Sequence, residues 1–217
     1  MKIKFSRLGV IPVLLLLLGA AAIASGVMRM SSMFDAYTTG SIPEGVEGME
    51  AYLEYPLMSL LHLIPGILFM LLGPLQLISN IRQRWPRVHH WCGRLFIVSG
   101  LLVGGSAVLM AWNFPVIVSH ATTVANLLFG AALVAALLIA FRAIKLRDIQ
   151  RHRAWMIRAY AIGLAVATMR ILFGMVYVVT GTFDEAIIPS LIWFTFMLHV
   201  VVAEWIILKK FQRGAYS

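Results

Sequence analysis

The sequence predicts an all-α fold: a polytopic membrane helix bundle of six transmembrane helices, with both termini cytoplasmic, forming a single integral membrane domain over residues 1–217. Three observations predict it. The composition is 61% hydrophobic and 12% charged, with a mean hydropathy of +0.89, which leaves too little polar surface for a water-soluble globule. The apolar residues gather into six runs, each close to the roughly 20 residues that cross a bilayer: 8–28, 57–79, 93–112, 116–141, 155–179 and 188–208. The basic residues, finally, crowd into alternate connections.

Each span has its own local signals. The first follows Lys2, Lys4 and Arg7. A basic start, an apolar centre and Ala22-Ile23-Ala24 also fit a cleavable signal peptide, but the run is long for one, which favours a retained anchor. Pro56 precedes the second span, and Pro65 and Pro74 are expected to interrupt it. Pro86 and Pro115 suit the first turns of the third and fourth spans, and Asp148 suits the N-cap of the fifth. The sixth runs up to Lys209 and Lys210. No internal repeat or low-complexity tract is visible. The single cysteine, Cys92, excludes an intramolecular disulfide and reads as a small packed residue.

The formal charge of +9 would suit a nucleic-acid partner if it were spread over one face, but it is sorted by connection. Basic residues fill the N-terminus, the second connection (Arg82, Arg84, Arg87, Arg94), the fourth (Arg142, Lys145, Arg147, Arg151, Arg153) and the tail (Lys209, Lys210, Arg213). The opposite connections carry Asp35, Glu44, Glu47, Glu50 and Glu54, then Asp184 and Glu185. By the positive-inside rule the basic set faces the cytoplasm. The partner is therefore a lipid bilayer, with no nucleic acid.

Four successive spans each carry a histidine. At about 1.5 Å per residue, His62 lies about 9 Å inside the outer end of the second helix and His120 about 7 Å inside that of the fourth. By the same rise His89 is about 4 Å into the third helix at the inner side and His152 about 6 Å into the fifth. A haem iron held by two imidazoles needs one histidine from each of two facing helices at equal depth, and the spacing meets that requirement twice. Against this stands the simpler reading that histidines and arginines near helix ends contact water and lipid phosphate. His90 points about 100° away from His89, so at most one of the two faces the core. His199, mid-span in the sixth helix, has no level histidine and reads as a buried hydrogen-bonding residue.

The blocks LHLIPGILFMLLGPLQLI (61–78), VHHWCGRLF (88–96) and RDIQRHRAWMIRAYAIGLAVATMRI (147–171) resemble the domain-of-unknown-function 2306 family of bacterial predicted membrane proteins, over about residues 55–175. Three parts of that family's pattern correspond to this chain. They are a histidine opening the second helix (His62), a His-x-x-x-Gly-Arg opening the third (His89, Gly93, Arg94) and a His-Arg-x-Trp-Met-Ile-Arg opening the fifth (His152, Arg153, Trp155 to Arg158). The resemblance implies a multi-pass protein of the bacterial inner, cytoplasmic membrane and no particular activity. In pattern rather than alignment, the chain also resembles the six-helix, ascorbate-reducible b-type cytochromes, in which helices two and four bind one haem and helices three and five the other. That resemblance implies one or two haem b groups held by His62 with His120 and by His89 with His152.

Three charges fall within the spans. Arg158 and Glu204 are level and form a natural ion pair. Arg170 lies near mid-membrane, where an arginine costs about 2.5 kcal/mol or more, and needs a partner: a haem propionate, a bound anion, or backbone carbonyls with Asn126 or His199. Two functions follow. One is a transmembrane oxidoreductase that carries electrons from a quinol or small reductant through bis-histidine haem. The other is a haem-free transporter, lipid-binding protein or accessory subunit. Nucleophile motifs, phosphate loops and hydrolytic carboxylate pairs are absent from the sequence.

Overall fold

The computed structural model describes residues 9–42, 48–114, 119–182 and 185–214. In chain order the helices are α1 (Val10–Thr39), α2 (Met49–Glu54), α3 (Pro56–Gln76), α4 (Ser79–Arg84), α5 (Pro86–Asn113), α6 (His120–Lys145), α7 (Ile149–Thr180) and α8 (Ile188–Gly214), with one 3-10 turn at Glu185–Ile187. Six of these, α1, α3, α5, α6, α7 and α8, are long and apolar enough to cross a membrane. The fold is all-helical, as the composition and the six apolar runs require.

Helix starts fall where the local chemistry puts them. Pro56 and Pro86 are the first residues of α3 and α5, positions at which a missing N–H removes no helical bond. Asp148 caps α7, its carboxylate accepting from the Arg151 backbone N–H at 2.9 Å. Ser119 does the same for α6 through the Thr122 N–H at 3.2 Å. Pro115 lies outside the described residues.

Two expectations need correction. Pro65 and Pro74 do not interrupt the second span, because α3 runs unbroken through both to Gln76. Each proline removes one ladder bond, whereas leaving the helix inside a bilayer would strand several backbone groups without water, so continuing is the cheaper course. The first span also overruns its predicted end at residue 28, for α1 reaches Thr39 and stops at Gly40, whose φ of 70° is left-handed. At 30 residues it is about 45 Å long, well beyond the hydrocarbon thickness. Its far end is covered by α2, since Met33, Met49 and Leu63 form one buried cluster with Tyr52 and Leu53 packed against it. Within this cap, the Arg29 guanidinium lies 4.8 Å from the centre of the Tyr52 ring.

The chain divides into two compact units, residues 1–106 and 107–217, with the boundary inside α5. In the first, α1 lies against α3 at glycines: a Cβ at Gly19 would meet Met70 at 3.8 Å, and one at Gly26 would meet Ile67 at 3.4 Å. Phe69 of α3 stacks on Phe96 of α5 at 4.3 Å between ring centres. In the second unit α6, α7 and α8 pack through small residues. Ala125, Ala136, Ala140 and Ala143 are buried on α6, and Ala154, Ala159, Ala165 and Ala167 on α7. Between helices in lipid, close backbone approach of this kind supplies the association energy that a hydrophobic effect cannot. Phe129 stacks on Phe196 at 4.1 Å, which ties α6 to α8.

Candidate functional site

The α6–α7 turn positions the best-defined histidine. Arg147 reverses the chain with φ of 62°, and the Asp148 backbone N–H bonds to the Ala143 carbonyl at 2.9 Å. The following turn of α7 is thereby laid beside the end of α6, and His152 Nδ1 sits 2.9 Å from the Ala140 carbonyl. A carbonyl can only accept, so Nδ1 carries the proton. Neutral His152 therefore presents Nε2 as its lone-pair nitrogen.

His62 is fixed in a similar way. Its Nδ1 lies 3.1 Å from Ser106 Oγ, and that hydroxyl donates its own proton to the Val103 carbonyl at 3.0 Å. With the hydroxyl hydrogen engaged, Oγ accepts from the His62 Nδ1–H, which again leaves Nε2 as the acceptor nitrogen. His62 is half-buried, whereas His120, the first residue of α6, is exposed.

At the start of α5 the adjacent histidines part company. His89 is half-buried with its Nδ1 fully covered, and His90 is exposed; their ring centres are 6.0 Å apart. One turn on, Gly93 lies beside Gln76 of α3, where a Cβ would come within 3.2 Å of Gln76 Oε1. The glycine thus admits the glutamine side chain, whose Nε2 is buried and makes no hydrogen bond among the described residues. Cys92 is a half-buried free thiol.

The interior charges follow the level argument. Arg158 and Glu204 form a two-pronged ion pair, Nε to Oε1 at 2.6 Å and Nη2 to Oε2 at 2.8 Å, with Trp155 under the guanidinium at 4.6 Å. Arg170 Nη1 donates to the Val166 carbonyl at 3.2 Å, the backbone alternative among its expected partners. His199 Nε2 and Thr168 Oγ1 are hydrogen-bonded at 2.8 Å, which makes His199 a bonded interior residue between α8 and α7. The Ala140 carbonyl, Ser106 and Thr168 are the partners that sequence reasoning missed. No sequence signal marks a backbone carbonyl, and serine or threonine in an apolar helix signals only that some bond will form.

Among the described residues no three histidine, cysteine or acidic side chains gather as a metal site. His62 and His89 belong to the first unit, His120 and His152 to the second. The family model for predicted membrane proteins designated DUF2306 matches residues 59–207. The chain belongs to this family. The match takes in all four of these histidines, Arg158, Arg170, His199 and Glu204, so in this DUF2306 protein the interior polar groups lie within the family's shared region. No curated protein and no solved structure matches the chain.

Proposed function

We propose that this protein is a multi-pass electron carrier of the bacterial cytoplasmic membrane that binds haem b through imidazole, with His89, His152, His62 and His120 as the candidate ligands. The observation that carries this reading is the fixed tautomer of His152. An axial ligand must offer an unprotonated nitrogen and have its ring held by a bond from the other one, and the Ala140 carbonyl does both. Ser106 treats His62 in the same way. Haem b, when bound, supplies one-electron exchange between ferric and ferrous iron, and ligation by two imidazoles leaves no open position for oxygen chemistry.

His120 has less support, because it is exposed and opens its helix. Arg170 is 18 residues along α7 from His152, about 27 Å by helical rise, too far to meet a propionate of a haem held by His152. A quinol or small reductant is the proposed donor. The Thr168–His199 and Arg158–Glu204 contacts support a second reading, a haem-free transporter or lipid-binding subunit with a polar seam between α7 and α8.

Absorption spectra of the detergent-purified protein, oxidised and then reduced, decide between the two. Low-spin b-type bands are expected, and no covalent link, since the chain lacks a Cys-x-x-Cys-His. Colourless protein from haem-replete cells would leave the haem-free reading standing. For orientation, reporters fused after Ser79 and after Asp148 are expected to read cytoplasmic and one near Gly45 external, and the reverse pattern overturns the assignment of sides.

A further inference from the structure

The strongest feature outside the histidines is a shallow pocket of about 310 Å³ at the start of α7, lined by Asp148, Gln150, Arg151, Ala154, Trp155 and Arg158. Arg151, Ala154, Trp155 and Arg158 follow helical spacing and share one face of α7. Arg158 is held rigidly, with its Nε and Nη2 on Glu204 and its guanidinium against Trp155 at 4.6 Å. Neither bond uses Nη1, whose two N–H groups remain as donors. Arg151 is exposed beside it and is the second cation of the pocket.

The one carboxylate of the lining, Asp148, is engaged on the Arg151 backbone N–H. It stands among five cations of the same connection, Arg142, Lys145, Arg147, Arg151 and Arg153, so the surrounding field attracts anions. The exposed Arg151 fork and the Nη1 edge of Arg158 at one small opening suit a tetrahedral phosphate. The depth suits a lipid. The pocket lies at the basic end of a membrane-spanning helix, with a tryptophan in its wall, as is common at the headgroup level. Leu146, two residues before Asp148, is exposed, at 67%, and offers apolar surface to the glycerol and first methylenes of a phospholipid.

We propose that this pocket is a headgroup site for an anionic phospholipid, its phosphodiester bridging Arg151 and the Nη1 of Arg158. The proposal is independent of haem, since none of these side chains is a proposed iron ligand. It differs from a diffuse attraction of basic loops to membranes in depending on particular arginines.

The test uses the full-length purified protein and native mass spectrometry of bound lipid. It compares phosphatidylglycerol with phosphatidylcholine in about 0.5 M salt, where screening reduces long-range attraction to a few ångströms. Wild-type protein is expected to retain phosphatidylglycerol preferentially, and Arg151→Gln to weaken that retention about tenfold, the loss of a charge-assisted hydrogen bond. Arg153→Gln removes the same charge from another face of α7 and is expected to change little. Equal losses in the two variants would reduce the site to diffuse charge and overturn the proposal. So would displacement of the lipid by millimolar inorganic phosphate added alone, which would assign the pocket to a free anion. Arg151 is exposed and makes no side-chain bond among those described, so its replacement is expected to leave folding, read by size-exclusion chromatography, unchanged.

Discussion

His152→Ala is expected to abolish the six-coordinate low-spin signature of the haem at the basic end of the protein. The imidazole is the only side chain on that turn of α7 able to ligate iron, since its neighbours Arg151, Arg153 and Ala154 offer no lone pair of the right kind. The Ala140 carbonyl cannot take its place, because it lies behind the ring on the Nδ1 side. His89→Ala is expected to give the same spectrum as His152→Ala, and His90→Ala, at an exposed position, to leave the wild-type bands intact. Reduced-minus-oxidised spectra of the three variants at matched protein concentration make the check. Should His152→Ala keep its low-spin bands while the wild type carries haem, His152 would be a structural residue that pins the α6–α7 turn, and the ligands would lie elsewhere. Should His90→Ala and not His89→Ala remove the signature, the ligand on α5 would be His90.

The parts of this architecture that were legible beforehand are those governed by composition and short spacing. Six spans follow from apolar runs of bilayer length, the start of α5 from Pro86 and that of α7 from Asp148. Arg158 and Glu204 were matched by depth alone, since two charges in one membrane at one level have few other ways to be neutralised. Other features depend on contacts between distant residues. The overrun of α1 to Thr39 is stabilised by Met49 and Leu63, neither of them near it in sequence. Proline is a reliable helix breaker in water, but Pro65 and Pro74 lie where the backbone has no water to turn to. The His62 tautomer depends on Ser106, 44 residues away. That of His152 depends on a main-chain oxygen, to which every residue type contributes alike. A histidine at helical depth is thus visible in sequence, while the partner that decides which nitrogen is bare is a product of packing.

Glu204→Ala is expected to lower the thermal midpoint of the purified protein by roughly 4–8 °C, from a loss of about 2 kcal/mol. The carboxylate takes both prongs of the Arg158 fork, at 2.6 and 2.8 Å. Side-chain exposures of 26% for Arg158 and 40% for Glu204 keep the figure below that of a fully buried pair, because solvent screens part of the attraction. The larger share of the loss comes from what remains: a guanidinium on a membrane-spanning helix with, among the described residues, only the Trp155 face against it. Replacing both partners separates the two contributions. In Arg158→Leu/Glu204→Leu neither charge is left stranded, so the double variant is expected to be more stable than the sum of the single losses predicts. Glu204 is the cleaner single site, because Arg158 also lines the headgroup pocket. A midpoint unchanged in Glu204→Ala would mean that water or lipid phosphate satisfies Arg158 as well as the carboxylate does, and the α7–α8 contact would then rest on the small residues of its seam.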